Sequence, residues 1–171
     1  IINKTMKKQF LLIVSLLATV GAIAQNGITN AYRFGQGEDS IKCINAISVY
    51  SLNLQNKSYA EAYPHWKEVF TNYPVARVDT YTNGIKLLNE LIKKESDPAK
   101  KSEYVKELMN VYDQQIKYLD KLQEITKSKL SAGNILGKKA LSYIQYYNNA
   151  PVDTIYSMLA TEDAIGRIYR C

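Results

Sequence analysis

From Asp39 onward, apolar positions recur at three- and four-residue steps, the spacing of one helix face. Ile44, Ile47, Ser51 and Leu54 make the first such stripe, and Asn56-Lys57-Ser58 supplies a turn after it. A second helix is predicted from about Tyr59 to Asn72, with Pro64 one turn inside it. Proline has no N–H for its i−4 partner, so a local bend is expected there. Pro74 ends the pair, and Tyr81, Ile85, Leu88 and Ile92 place a third helix over Thr80–Lys94. Asp97-Pro98 marks the next start, with aspartate as cap and proline at the first helical position. The stripe Val105, Leu108, Tyr112, Ile116, Leu119, Leu122 predicts one helix continuing to Thr126, about 40 Å long at about 1.5 Å per residue. Ser131-Ala132-Gly133-Asn134 breaks the pattern, a further helix runs from Ile135 to Tyr147, and another begins near Val152. No segment alternates as a strand does. The fold class expected is all-α, built of antiparallel helix pairs.

The amino terminus follows a different rule. Met6-Lys7-Lys8 precedes the apolar run Phe10–Ala24, which closes in Ala22-Ile23-Ala24. A positive start, a short apolar run and a small-x-small end describe a secretory signal peptide over residues 1–24. The alternative is a retained anchor, but the run falls short of the roughly 20 apolar residues that span a bilayer. No cysteine follows it directly, so a lipoprotein anchor is not indicated. Residues 1–5 precede the expected initiator Met6 and are read as an over-extended, non-native reading frame. Residues 25–38 are polar, glycine-containing and aperiodic, and read as a flexible lead-in. The helical domain is then 39–171, its pattern cut at Cys171, so a C-terminal truncation of a longer protein is expected.

Composition changes this picture little. Cleavage after residue 24 of 171 leaves 147 residues, enough for one domain or a short solenoid. Of the net charge of +6, Lys4, Lys7 and Lys8 carry three, and an exported chain with the remaining +3 is a poor nucleic-acid binder.

Candidate chemistry is thin. His65 is the only histidine, which excludes a histidine-based metal cluster, and no nucleophile-elbow glycines accompany it for a catalytic triad. Gly35-x-Gly37 is a weak glycine signal with no strand before it, and no P-loop or dinucleotide fingerprint is present. No catalytic, cofactor-binding or metal-binding residue is therefore assigned. Cys43 reads as a small buried apolar residue rather than half of a disulfide with Cys171. The stretch KKESDPAKK, residues 93–101, reads as a solvated connector, the alternative being a polyanion site. Fourteen tyrosines stand against three phenylalanines, with Tyr143, Tyr146 and Tyr147 crowding one helix end. Amphipathic packing explains them, and a stacking surface for glycans or peptides is the sharper alternative.

Tyr59, Ala62, Trp66, Val69 and Pro74 fall at steps of three, four, three and five, and Gly84 stands 34 residues after Tyr50. This spacing resembles the second helix of the tetratricopeptide repeat, in which a small residue admits the paired helix, an aromatic fills the gap and proline stops the helix. The first helix departs from the pattern, with Ala46, Tyr50 and Asn53 where tryptophan, glycine and an aromatic are common. The blocks DSIKCINAISVY, YAEAYPHWKEVFTNYPVA, MNVYDQQIKYL and ILGKKALSYIQYY resemble a family of exported tetratricopeptide-repeat proteins of Gram-negative bacteria. That resemblance implies a short helical solenoid in the periplasm or at the outer membrane, without catalysis. Family members often carry a second cysteine just before the terminating proline, where this chain has Tyr73, so any disulfide from Cys43 to that place is lost.

In the register of the resemblance, Ile44, Ile47, Ser51 and Leu54 match Val78, Tyr81, Ile85 and Leu88 and would line the concave side as a protein- or peptide-binding stripe. The loose first helix favours the other reading, in which it is rotated and the stripe packs on the second helix. Two functions follow: a protein- or peptide-binding scaffold, or an envelope structural or glycan-associated module recruited through a domain outside this chain. Neither involves nucleic acid, a cofactor or a stable membrane span after cleavage. Amino-terminal sequencing of the exported protein is expected to begin at Gln25, and a membrane-held chain retaining Met6 would reject the signal-peptide reading.

Overall fold

A computed structural model describes residues 32–127, 129–147 and 149–160. The predicted signal segment and the last eleven residues, including Cys171, lie outside the described residues. The described residues contain a 3-10 turn, Tyr32–Phe34, and seven α-helices with no strand among them. The helices are α1 (Glu38–Gln55), α2 (Tyr59–Asn72), α3 (Asp79–Lys94), α4 (Pro98–Lys117), α5 (Leu119–Thr126), α6 (Ala132–Tyr146) and α7 (Val152–Leu159). They pack largely in chain order: α1 on α2, α2 on α3, α3 on α4, α4 on α6, and α6 on α7.

The turn between α1 and α2 is fixed by backbone hydrogen bonds. Lys57 takes the left-handed conformation (φ 59°), its N–H bonds the Leu54 carbonyl, and the Ser58 N–H reaches back to the Asn53 carbonyl at 2.8 Å. These are the two bonds of a Schellman ending, which satisfies carbonyls that the helix leaves open. α2 then runs through Pro64 without a break. Pro64 and its orphaned i−4 partner Ala60 both face outward, where water supplies the missing donor.

The other proline acts on the core. Pro74 has no N–H to give the Phe70 carbonyl in the last turn of α2, and Gln114 of α4 donates to that carbonyl instead at 2.6 Å. The Pro74 carbonyl accepts from the Tyr81 hydroxyl at 2.7 Å. A chain stop is thereby stitched to both following helices.

The join between α2 and α3 centres on Trp66, which is fully buried. Its indole N–H donates to the Thr80 carbonyl at 2.8 Å, and its ring lies over Gly84. A β-carbon on Gly84 would meet the indole at 2.3 Å, far inside contact distance. Phe70 stacks on Trp66 at 4.9 Å, and Tyr81 meets Phe70 edge-on at 6.0 Å. Ala62, Val69, Leu87, Leu88 and Leu108 complete the dry interior around this stack.

Two expectations are corrected. The helix predicted to run from Pro98 to Thr126 divides at Tyr118 (φ −104°, ψ 11°) into α4 and α5. Neither glycine nor proline marks the break. Tyr118 and Leu119 pack on the core and Leu122 is fully buried, so tertiary packing overrides local continuity. The serine expected to break the chain before α6 instead caps it, as Ser131 Oγ accepts the Asn134 N–H, and α6 starts at Ala132. Within the expected lead-in, Tyr32–Phe34 form the 3-10 turn and Phe34 packs on the core. The cap predicted at Asp97 forms, its Oδ1 accepting the Ala99 N–H at 2.9 Å.

Trp66 and Gly84 are expected to be coupled. Trp66→Ala empties a large core site and should cost about 3–5 kcal/mol. Gly84→Ala in the native background should cost about 1–3 kcal/mol by overpacking. In the Trp66→Ala background the same change should stabilise by up to about 1 kcal/mol, because alanine is the better helix former once the ring is gone. Chemical denaturation of the four proteins checks this; additive effects would show that the two residues do not meet.

Candidate functional site

The last two turns of α3 and the end of α6 face each other across a groove of about 680 Å³. α3 contributes Asn89, Glu90, Ile92 and Lys93, α6 contributes Gln145 and Tyr146, and Lys101 of α4 closes one side. The two helices are tied by the Tyr146 hydroxyl, which donates to Asn89 Oδ1 at 2.5 Å. Asn89 is itself oriented, its Nδ2 donating to the Ile85 carbonyl at 2.8 Å. Below the groove, Tyr112 Oη and Ser142 Oγ are hydrogen-bonded at 3.0 Å, and Lys139 pairs with Asp113 at 2.5 Å, which docks α6 on α4.

Burial, with smaller contributions from Tyr112 and Glu90, pushes the Tyr146 phenol upward, so the strap keeps its proton at neutral pH. Glu90, Lys93 and Lys101 give the groove both signs of charge and a net positive one. Such a lining offers hydrogen bonds and point charges to a polar chain. Among the described residues there is no group of three or more His, Cys, Asp or Glu placed to hold a metal ion.

The residues expected to line a binding stripe do not share one open face. Ile47, Leu54, Tyr81 and Leu88 are buried in the core, where they have no surface to offer a partner. Ser51, Val78 and Ile85 are half-buried, and Ile44 is exposed. The physical reason is that α1 and α3 use their periodic stripes to pack on their neighbours. Of the residues expected to pack the repeat, Tyr59, Ala62, Trp66, Val69 and Gly84 are buried and Pro74 is half-buried.

Lys93 and Lys101 bound the KKESDPAKK stretch, for which a polyanion site is the alternative reading, but Asn89 and Gln145 were not legible as site residues. Their only sequence signal is that polar residues stand beside an apolar stripe, as on any amphipathic helix. Tyr146 was noticed within the tyrosine cluster, but not its pairing with α3. The other two tyrosines stack on each other, Tyr143 and Tyr147 lying 4.3 Å apart, which turns one face of each ring away from any ligand. His65 is half-buried on α2. The KKESDPAKK connector is tied internally, with Glu95 Oε1 accepting the Ser96 and Asp97 N–H groups and Oε2 lying 3.3 Å from Lys100. The hydrogen bond from the Asp97 backbone is the main reason the Glu95 carboxyl is held below its usual range.

No family model, curated protein or solved structure matches the chain. What the helices define is an all-helical protein of packed helix pairs, in which no described helix is long and apolar enough to cross a membrane.

Cys43 is fully buried, and burial, assisted by Glu68, pushes its thiol from about 9 up to about 11. The folded state therefore binds this proton more tightly than the unfolded state. The resulting stability is complete below pH 9 and is lost as pH rises from about 9 to about 11. Denaturation of the native protein and Cys43→Ala across that window should show their stability difference moving against the native protein. In a Cys171→Ser background, rapid thiol labelling of the folded protein at neutral pH would refute the burial of Cys43.

Proposed function

We propose that this chain is a non-enzymatic, exported helical-repeat scaffold of the tetratricopeptide type, which binds an extended peptide segment of a protein partner in the periplasm or at the outer membrane. The observation that carries the reading is the polar groove held between α3 and α6 by Tyr146 and Asn89. In a repeat of this type those would be successive first helices, whose inner faces line the concave side. An extended peptide has its own backbone donors and acceptors to satisfy, and Glu90, Lys93, Lys101 and Gln145 supply partners along the groove. The Trp66–Gly84 contact and the proline stop support the repeat reading, which calls for a close helix approach filled by an aromatic and for a helix-ending proline.

A displayed library of random peptides, selected on the folded protein, tests the site. Selected peptides should lose binding to Gln145→Trp, which fills the groove, and weaken roughly tenfold against Lys93→Glu. Peptides that bind both variants unchanged, or enrichment of cell-wall glycan fragments with no peptide selected, would turn the assignment to the glycan-associated module.

A further inference from the structure

A second cleft, of about 410 Å³, lies on a different part of the molecule, between the 3-10 turn, the start of α3 and the end of α5. Arg33 and Phe34 form one wall, Arg77, Val78 and Asp79 another, and Thr126 stands at the end of α5. Arg33 Nε is buried and has no hydrogen-bond partner among the described residues. A buried donor without an acceptor is costly, and more so on a charged group.

The segment bearing Arg33 is built into the fold. Its guanidinium sits 4.5 Å from the Phe34 ring centre, and Phe34 packs on the core. The turn leaves through Gly35 at φ +85°, where a β-carbon would approach Asp39 at 3.0 Å and Tyr73 at 3.1 Å. The second arginine is partly committed. Arg77 donates from Nε to Asp79 Oδ1 at 2.7 Å and from Nη2 to Oδ2 at 2.5 Å, which leaves Nη1 for a further acceptor.

We propose that this cleft binds a carboxylate group, held by the Arg33 and Arg77 guanidinium groups, on a small ligand whose apolar part rests on Phe34 and Val78. The charge balance chooses the anion. Arg33 and Arg77 against Asp79 leave one net positive charge, which matches a monoanionic carboxylate. A phosphate dianion would lie close to the Asp79 carboxylate with one charge uncompensated. Guanidinium forks suit a planar carboxylate, and the charge-assisted bonds formed are about twice as strong as neutral ones. The volume accommodates a ligand of one or two amino-acid residues, so a free peptide carboxyl end and a small free carboxylic acid are the two sources of this chemistry. The site stands apart from the groove between α3 and α6 and does not depend on the function proposed for that groove.

Titration of the full chain with acetyl-Gly-Phe, followed by calorimetry and by amide chemical shifts, tests the proposal. Binding is expected for the free acid, with shifts at Phe34, Val78 and Thr82, and not for the corresponding C-terminal amide. Phenylacetate distinguishes the sources: binding as tight as the peptide's assigns a small acid, and weaker binding assigns a peptide end. Arg33→Gln should weaken the free acid at least roughly tenfold, and Arg33→Lys, which keeps the charge but not the fork, should give an intermediate loss. Arg77→Gln leaves the half-buried Arg33 in place and serves if the Arg33 variants fail to fold; it too should weaken binding. Equal binding of acid and amide, tighter binding of inorganic phosphate, unchanged affinity in both arginine variants, or no binding of either acid would overturn it. Gln145→Trp, in the other groove, should leave this titration unchanged.

Discussion

The contact between the Trp66 indole and the bare α-carbon of Gly84 sets the spacing between the first helix pair and everything after it. Helices cross at about 8–10 Å, and the residue at the crossing decides where in that range they stop. Here a large flat ring on α2 meets the one residue of α3 without a side chain, and the indole N–H is satisfied by the carbonyl of Thr80, one turn earlier. Shape and polarity are settled in a single contact. Thr80 is also the point where α1 joins, since its hydroxyl lies 3.5 Å from the buried Tyr50 hydroxyl. Three helices therefore meet within two turns of α3. The aromatic stack from Trp66 through Phe70 to Tyr81 carries that arrangement toward the loop at Pro74 and the long helix α4.

Polar groups specify the same geometry that the apolar core stabilises. A chain of helices packed largely on its neighbours could slide by a turn if only leucines and alanines met, because such contacts have no direction. The bond from Gln114 to the Phe70 carbonyl, from Tyr81 to the Pro74 carbonyl and from Tyr146 to Asn89 each cross between elements. Each would leave a half-buried polar group unpartnered if the register moved, a penalty of about 1–3 kcal/mol per group. The abundance of tyrosine over phenylalanine has a physical use here: its ring fills a thin core while its hydroxyl names a partner.

How much of this could be read from the chain depends on whether the signal was local. The pair α1–α2 and the cap at Asp97 were legible, because periodicity and capping chemistry act over a few residues. The division at Tyr118 was not, since nothing in the local sequence disfavours a helix there and the cause lies in the burial of Leu122. The proposed stripe of Ile44, Ile47, Leu54, Tyr81 and Leu88 mixed two surfaces, because periodicity reports that a helix has an apolar face and not what covers it. The groove lining was hidden for a further reason. Asn89 and Tyr146 stand 57 residues apart, and only packing brings them together. Arg33 lay in a segment whose glycines and polar residues concealed the 3-10 turn that holds it.

The distribution of exposed apolar side chains follows from the same packing order. Ile41, Ile44 and Leu52 are exposed on α1, and Leu141, Ile144, Val152 and Tyr156 are exposed on α6 and α7. No large apolar residue of α2 to α5 is similarly uncovered among those described. The exposed side chains gather on α1, which packs chiefly on α2, and on α6 and α7 at the other end of the described residues, while the helices between them are covered by neighbours on both sides. The middle of the row is left with polar surface. Hydrogen bonds and charges on such a surface are directional but add little net free energy apiece, because water competes for the same groups. The groove between α3 and α6 accordingly presents directional hydrogen-bonding groups and charge beside the buried Ile92.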